Sequence, residues 1–535
     1  MDSPRAHGVI APGLTQRKRR ARSAVVGAPV VAHAVDLDRA TDAQSNLVPD
    51  RPAVQPGAIE PSAVLPPFDP WRASAVSFDV IAASRATPEG VRQRQVRRLA
   101  DLLLASTTRS RFYRELMGAP SKALPLLREW PVVTKRALMN RFDDWVTDPC
   151  LHLDELRRFT ASPSCIAQPF HERYIVWESS GSSGEPGVFV QDAHALAVSY
   201  ALEALRPAAL QPWRRMLDPY YLCERLAFVG AINGHFASTV SLERLRRISP
   251  GVAATVRSFS FLQRTADLVA QLNDHAPTIV ATYPTAALML AEEAEAGRLR
   301  IAPQEIWTGG EALTPAVRRF VSARFHCPVS NSYGASEFLA MASECRLGHM
   351  HLNSDWVILE SVDSHGRPVP AGESGSTTLL TNLSNHVQPL IRYDLGDRLT
   401  VAPGRCACGS PFPVIRVVGR VDDSLLLHDA HGRAVRLLPL ALTTVVEDEA
   451  GVFDFQIEQQ DATHLLLRIA VNGGAGRSEL QRARTALGAY LLRQGLANVH
   501  IHGRCGEPGV RGRSGKVPRV RGVTRVADGA VAAQA

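Results

Sequence analysis

A short loop rich in serine and glycine is the stretch of this chain best suited to chemistry. Residues 179–184 read Ser-Ser-Gly-Ser-Ser-Gly and lie between apolar runs at 174–177 and 188–190. Glycine lets the backbone approach a ligand closely, and backbone N–H groups and serine hydroxyls can bind phosphate oxygens. Glu185 follows where the loop of P-loop NTPases has lysine. The sequence therefore predicts a phosphate-binding loop that takes its cation from elsewhere, with a flexible linker as the alternative.

Further short motifs follow this loop in a fixed order. They lie at 309–313 (Gly-Gly-Glu-Ala-Leu), 331–337 (Asn-Ser-Tyr-Gly-Ala-Ser-Glu), 392–397 (Arg-Tyr-Asp-Leu-Gly-Asp), 419–423 (Gly-Arg-Val-Asp-Asp) and 513–519 (Arg-Ser-Gly-Lys-Val-Pro-Arg). Each alone is weak, but the whole set resembles the AMP-forming adenylate-forming superfamily over about residues 90–535. The stretch 381–393 and the Cys-x-Cys-Gly sequence at 406–409 are most similar to phenylacetate–CoA ligases and their relatives.

The resemblance implies a ligase that works in two steps. A small carboxylic acid, expected to be aromatic, attacks the α-phosphorus of ATP in the presence of Mg²⁺ and forms an acyl-adenylate and pyrophosphate. A thiol, usually that of coenzyme A, then displaces AMP. Attack of a carboxylate on a phosphate of ATP depends on positioning and charge neutralisation more than on covalent catalysis by the protein. The alternatives are a carrier-protein thiol or an amine as acceptor, and a catalytically silent nucleotide-binding relative.

The resemblance assigns the nucleotide-binding residues position by position. The β- and γ-phosphates are expected to bind Ser179, Ser180, Gly181, Ser182, Ser183 and Gly184. The adenosine and its surroundings are expected to contact Gly309, Gly310, Glu311, Tyr333, Gly334, Asp397 and Arg420. Asp397 offers two acceptor oxygens to the ribose hydroxyls.

Catalytic roles follow from the same resemblance. Ser336 is expected to contact the α-phosphate, and Glu337 to hold Mg²⁺, a hard cation suited to carboxylate oxygens. Lys516 is expected to bridge the carboxylate and the α-phosphate during adenylation. Asp422 matches the hinge about which a small domain rotates between the two steps.

Two further sites are predicted. The acyl pocket is expected to include His235, Phe236 and Tyr283, although a packed strand and turn explains the first two as well. Cys345, His351, Cys406 and Cys408 can form a tetrahedral Cys₃His site for a structural Zn²⁺, with His349 as the rival to His351. The alternative is a set of unliganded thiols.

The elements that must position these residues alternate between strand and helix. Strand patterns at 278–282 and 305–308 each precede a helix pattern, at 285–297 and 314–325, which predicts an α/β domain with largely parallel strands. The segment 355–403 predicts a β-rich antiparallel subdomain. A helix is expected over 88–118. Beyond residue 420, strands at 424–428, 453–459 and 464–471 and a helix at 478–494 predict a small α+β unit.

Length and composition set the remaining expectations. A chain of 535 residues is too long for one core, and we expect a disordered tail (1–75), a large adenylate-forming domain (76–420) and a small mobile C-terminal domain (421–535). The net charge of +8 includes a basic cluster at 17–22, interpreted as a solvated tail, so no nucleic-acid partner is expected. No transmembrane run or signal peptide is evident, which predicts a cytoplasmic protein. The oligomeric state is open, with a homodimer as one alternative.

Overall fold

The structure of the protein is a computed structural model. It describes residues 65–66, 68–117, 126–179, 186–207, 223–232, 234–418, 424–507, 509 and 518–522. Within these residues no helix is long and apolar enough to cross a membrane. Outside them lie the basic cluster at 17–22 and the predicted site residues Ser180, Gly181, Ser182, Ser183, Gly184, Arg420, Asp422 and Lys516.

Two long helices begin the described chain. Helix α1 is Pro70–Ser84 and helix α2 is Pro88–Arg109. The Thr87 side chain accepts a hydrogen bond from the backbone N–H of Gly90, and a proline follows at the first helical position, both of which favour a helix start. Extended backbone at Ser110 separates α2 from α3 (Arg111–Met117), so the helix predicted over 88–118 is divided in two. Because α1 begins at Pro70, the folded chain starts before the predicted boundary at residue 76.

A buried hairpin carries the ends of the serine- and glycine-rich loop. Three short helices lead to it, α4 (Lys135–Asn140), α5 (Phe142–Trp145) and α6 (Leu153–Thr160). The hairpin strands β1 (Ile175–Glu178) and β2 (Val188–Gln191) are antiparallel. Val176, Trp177 and Val188 are each only 1% exposed, so apolar burial fixes the strands on both sides of the loop.

The segment 193–418 supplies the remaining elements of the large domain. Its helices are α7 (Ala193–Leu205), α8 (Ala237–Arg246), α9 (Pro250–Thr255), α10 (Thr265–His275), α11 (Pro284–Glu295) and α12 (Pro315–Phe325). Its strands are β3 (Leu226–Gly230), β4 (Val256–Ser260), β5 (Ile279–Thr282), β6 (Glu305–Gly309), β7 (Val329–Ala335), β8 (Phe338–Glu344), β9 (Met350–Leu352), β10 (Val357–Val362), β11 (Thr377–Asn382), β12 (Tyr393–Asp394), β13 (Arg398–Val401) and β14 (Val414–Val418).

Most of these strands join one mixed sheet, in the order β13-β14-β9-β8-β7-β6-β5-β3-β4. Neighbours are parallel from β4 to β7 and antiparallel from β7 to β13. Strands β10, β11 and β12 form a separate antiparallel sheet. The predicted α/β layering with parallel strands is therefore confirmed for the first half of the domain, and the antiparallel character for the second half.

A smaller α+β unit follows, as predicted. Its helices are α13 (Pro439–Thr444), which continues into a π-helical turn at Val445–Glu449, and α14 (Gly473–Arg493). Its strands are β15 (Leu425–His428), β16 (Ala434–Leu437), β17 (Phe455–Gln459), β18 (His464–Ile469), β19 (His500–Cys505) and β20 (Val520–Arg521). The last four form a sheet in the order β19-β18-β17-β20.

The small unit packs against the parallel half of the large domain. One apolar cluster includes side chains from both, such as Val280 and Ile306 in the large domain and Leu442 and Leu487 in the small unit. At its edge, the guanidinium of Arg436 donates to the Glu292 carboxylate at 2.7 Å. This arrangement places the small unit beside the ends of β6 and β7, where the sequence motifs lie.

Candidate active site

One cavity of about 1560 Å³ is lined by residues of the motifs at 309–313, 331–337 and 392–397 and by Ser179 and Arg519. It lies where β6 and β7 end, because the carboxyl ends of parallel strands meet at one edge of a sheet. A pocket for one small ligand is about 300–1,000 Å³, so this cavity has room for more than one. The predicted site residues that line it are Ser179, Gly310, Glu311, Tyr333, Gly334, Ser336, Glu337, Asp397 and the predicted metal ligand Cys406.

Tyr333 and Asp397 are joined across the cavity wall. The Tyr333 hydroxyl donates a hydrogen bond to Oδ2 of Asp397 at 2.9 Å. Burial and the Asp397 carboxylate raise the pKa of Tyr333, so the hydroxyl keeps its proton and stays a donor. The next residue is Gly334. A Cβ at this position would overlap the carbonyl oxygen of Leu339, so packing alone requires glycine here.

The loop that carries Asp397 is held by an arginine in an unusual backbone conformation. Arg392 has φ +47°, in the left-handed region that non-glycine residues rarely adopt. Its buried guanidinium donates to Glu360 at 3.2 Å and to the carbonyl oxygens of Trp130 and Gly366, each at 2.8 Å. These contacts offset the local strain and fix the course of residues 392–397.

Glu337 is a buried carboxylate at the centre of the site. It is 8% exposed and accepts a hydrogen bond from the Tyr393 hydroxyl at 2.7 Å. Burial raises the pKa of Glu337, while the positive charge of Lys135 acts in the opposite direction. A charged group in this position needs partners, and a hard cation such as Mg²⁺ would suit it. Ser336 lines the same part of the cavity.

Lys135 is a cation of this site that the sequence motifs did not include. It stands at the start of α4 and donates from Nζ to Oγ of Ser179 at 3.3 Å. Backbone hydrogen bonds join Val133 to Arg392 and Asp394 and bring this segment beside the 392–397 loop. The chain has only four lysines, and that scarcity was the signal that could have drawn attention to Lys135.

The Gly309-Gly310-Glu311 turn is shaped by its own contacts. Gly310 has φ +76°, and a Cβ there would lie 3.0 Å from the ring of Tyr283. The Glu311 carboxylate accepts hydrogen bonds from the backbone N–H of Thr285 at 3.0 Å and from its hydroxyl at 2.8 Å. Glu311 thus caps the first turn of α11, where a negative charge is favourable.

The three predicted acyl-pocket residues lie apart from this cavity. His235, Phe236 and Tyr283 are described by the structure, but none of them is among the residues that line it. His235 is 2% exposed, with Nε2 3.1 Å from the carbonyl oxygen of Ser162. Tyr283 packs beneath Gly310, and burial raises its pKa to about 12. Their role in binding the acid therefore stays a prediction.

The small unit closes one side of the cavity with residues that the sequence motifs did not assign. Glu447, in the π-helical turn, and Arg519 both line it, with Nη2 of Arg519 3.9 Å from Oε1 of Glu447. The carbonyl oxygen of Arg519 accepts a hydrogen bond from the N–H of Ile457 at 2.8 Å, which attaches this segment to the small sheet. Single π-helical turns occur frequently at functional sites. Arg519 belongs to the same motif as Lys516.

The second predicted constellation also converges. The ligand atoms of Cys345, His351, Cys406 and Cys408 all lie within 4.8 Å of one another. Nε2 of His351 is 3.4 Å from Sγ of Cys408, and its Nδ1 is 2.8 Å from the carbonyl oxygen of Phe412. A histidine that donates Nδ1–H to a carbonyl presents the Nε2 lone pair to a metal. We call these four residues the Cys/His cluster.

Backbone donors surround the sulfur atoms of the Cys/His cluster. The N–H of Leu347 lies 3.4 Å from Sγ of Cys345, and that of Cys408 lies 3.5 Å from Sγ of Cys406. This second contact is the main cause that lowers the pKa of Cys406 to about 6. The rival ligand His349 has Nδ1 3.1 Å from Sγ of Cys406 but is not part of the converging group. The geometry therefore favours His351.

Comparison with known proteins agrees with these motifs. The model of the AMP-binding enzyme family matches residues 138–376. Phenylacetate-coenzyme A ligase of Thermus thermophilus is 27% identical over 295 residues, which cover 52% of this chain and 61% of that protein. Protein CapK of Staphylococcus aureus is 23% identical over 217 residues, covering 40% of this chain and 46% of that protein. The chain thus matches less than two thirds of the length of these relatives.

Matches among the solved structures include a CoA ligase and an amido synthetase. A 2-hydroxyisobutyryl-CoA ligase in complex with 2-HIB-AMP and CoA has 19% identity and a TM-score of 0.49, covering 82% of this chain and 91% of that one. The acyl acid amido synthetase AtGH3.15 has 15% identity and a TM-score of 0.44, covering 86% and 96%.

Residues 138–376 therefore match the AMP-binding enzyme family. Over about half of its length the chain is similar to phenylacetate-coenzyme A ligase.

Proposed function

We propose that this protein is an ATP-dependent, AMP-forming carboxylate ligase that makes a coenzyme A thioester through an acyl-adenylate. The observation that carries the proposal is the convergence of Tyr333–Asp397, Glu337 and Lys135–Ser179 on one cavity. Tyr333–Asp397 would supply an acceptor for the ribose hydroxyls, and Glu337 a metal-binding carboxylate. Lys135–Ser179 would supply a cation for the phosphates.

The adenylation step needs two anions to approach each other. Lys135 and the loop at 179–184 would neutralise the β- and γ-phosphates, and Glu337 would hold Mg²⁺ near the α-phosphate. Asp397, oriented by Tyr333, would accept the ribose hydroxyls. Each group acts by charge or hydrogen bonding, which is what phosphoryl and nucleotidyl transfer require.

The C-terminal unit would complete the reaction. Lys516 would bridge the attacking carboxylate and the α-phosphate, and Arg420 would add a cation near the ribose. Arg519, which follows Lys516 closely in the sequence, lines the cavity, and this supports the proposed role. Rotation of the small domain about Asp422 would then move Lys516 away from the site and give the thiol acceptor access to the acyl-adenylate.

The substrate is proposed to be a small, aromatic carboxylic acid, with His235, Phe236 and Tyr283 as the pocket residues. An amine or a carrier-protein thiol remains the alternative acceptor. ATP and coenzyme A are intracellular compounds, so a cytoplasmic location follows from this function.

An exchange assay tests the proposal directly. Labelled pyrophosphate should enter ATP only when a suitable acid is present, and a panel of aromatic and aliphatic acids would identify it. Release of AMP should then need coenzyme A. Absence of exchange with every acid would favour a catalytically silent relative. If AMP release needs a carrier protein instead of coenzyme A, the carrier protein is the acceptor.

We also propose that the Cys/His cluster holds a structural Zn²⁺. Three thiolates and one imidazole match the donor set and the four-coordinate preference of this ion, and they leave no open position for catalysis. The metal would tie the segment 345–351 to the loop at 403–409.

A further inference from the structure

Next to Glu344, which also lines the cavity but pairs with Arg318, one wall of the cavity carries basic and no acidic side chains. It consists of the lining residues in segments 348–350, 402–407 and 414–417, and none of these residues is acidic. Its cationic or imidazole side chains are His349, Arg405 and Arg416, which we call the basic wall. The carboxylates that line the nucleotide part of the cavity, by contrast, include Glu311, Glu337, Asp394 and Asp397.

The basic wall is built on adjoining strands. Arg416 lies on β14, where it pairs with Thr400 of β13. The same strand pairs with β9, with Val414 opposite His351. His349 directly precedes β9 and Arg405 directly precedes Cys406, and the two loops meet where Nδ1 of His349 lies 3.1 Å from Sγ of Cys406. The three basic groups therefore have fixed backbone positions along one side of the cavity.

Two of these groups have no internal counter-charge. Arg405 and Arg416 are exposed, and neither forms an ion pair with any residue that the structure describes. A concave surface with one sign of charge attracts ligands of the opposite sign. Guanidinium groups bind phosphates through two parallel hydrogen bonds, which makes phosphate the anion they fit best.

The three substrates of the proposed reaction differ in which phosphates they bring. The phosphates of ATP are expected at Ser179 and Lys135, which lie on segments of the lining other than the basic wall. The carboxylic acid has no phosphate. Coenzyme A carries a diphosphate and a 3′-phosphate. We propose that the basic wall binds the phosphates of coenzyme A, an inference that rests on the function proposed above. Arg405 and Arg416 would thus determine the choice of coenzyme A as acceptor.

Truncated acceptors test this assignment. The double variant Arg405→Ala/Arg416→Ala should lower kcat/KM for coenzyme A by about tenfold or more, since charge-assisted hydrogen bonds are lost. It should leave kcat/KM for pantetheine, which has no phosphate, close to the wild-type value. Dephospho-coenzyme A would show which phosphate is bound. Arg346→Ala is the matched control, because Arg346 is exposed in the neighbouring loop but does not line the cavity.

The outcomes separate this inference from the function on which it rests. An equal loss with pantetheine, or no loss with coenzyme A, overturns the basic wall as a phosphate site while acyl-CoA formation by the wild type persists. Wild-type enzyme that exchanges pyrophosphate but makes no acyl-CoA overturns both. Pyrophosphate exchange and bound zinc are measured on each variant, so that damage to the fold or the cluster is recognised.

Discussion

The ammonium of Lys135 and the hydroxyl of Ser179 are 3.3 Å apart, although 43 residues separate them in the chain. Ser179 also joins the two ends of the loop: its N–H donates to Gly187 O at 2.8 Å, and its Oγ accepts from Gly187 N at 2.9 Å. The cation that the loop lacks is therefore supplied at its base by helix α4, independently of the small domain.

Replacement of this lysine should impair adenylation. Lys135→Ala removes the positive charge expected beside the β- and γ-phosphates, and pyrophosphate exchange should fall by about 10²-fold. Lys135→Arg retains the charge and should keep more of the activity. The hydrogen bond to Ser179 contributes only about 1 kcal/mol to stability, and urea unfolding of both variants checks that the fold is retained. Exchange at the wild-type rate in Lys135→Ala would remove the phosphate role assigned to this residue.

Glu337 should make stability depend on pH in a defined direction. Burial raises its pKa above 4.5, so the folded protein holds this proton more tightly than the unfolded chain does. The contribution of Glu337 to stability is therefore present at low pH and is lost as pH rises through the folded-state pKa. Glu337→Gln should gain stability relative to the wild type as pH rises, by about 1 kcal/mol per unit of pKa shift.

Urea unfolding without nucleotide, over a series of pH values that begins near 4.5 and rises, measures this difference. The same variant should lose Mg²⁺-dependent pyrophosphate exchange, because the amide is a poor ligand for the cation. A stability difference that is constant with pH would contradict the raised pKa.

Lys516 should be needed for the first step alone. Lys516→Ala is expected to lower pyrophosphate exchange by about 10²-fold or more. The substitution removes a positive charge that would stabilise the negative charge on the α-phosphate in the transition state. Thioester formation from a preformed acyl-adenylate should continue, because the carboxylate and the α-phosphate are already joined in that compound. The two half-reactions are assayed separately, and unchanged exchange would argue against the role of Lys516.

Cys406 should be required for zinc. Wild-type protein is expected to contain one equivalent by elemental analysis, and Cys406→Ser should lose it together with thermal stability, because the metal crosslinks two loops. Cys150→Ser is the control, since Cys150 is exposed and outside the Cys/His cluster. Equal metal content in the two variants would show that Cys406 is not a ligand, and wild-type protein without zinc would show that the thiols are unliganded.

Local patterns in the sequence predicted much of the fold. Alternating strand and helix segments indicated the parallel sheet, and the helix at Pro284–Glu295 and the strand at His464–Ile469 lie close to their predicted positions. Boundaries were less accurate: α14 begins at Gly473 rather than at 478, and Ser110 divides the first predicted helix. The ends of a helix depend on single capping or breaking residues, whereas its hydrophobic periodicity is supported by many residues. The existence of an element is therefore easier to predict than its boundaries.

The sequence by itself predicted the chemistry proposed for the site, because the order of its short motifs resembles that of the adenylate-forming superfamily and indicates a nucleotide and a carboxylic acid. Only the tertiary structure decided which distant groups meet. It placed Lys135 beside Ser179, put His351 rather than His349 in the Cys/His cluster, and set Arg405 and Arg416 on one wall. These neighbours arise from strand pairing and helix packing between segments far apart in sequence, and a local pattern carries no information about such distances.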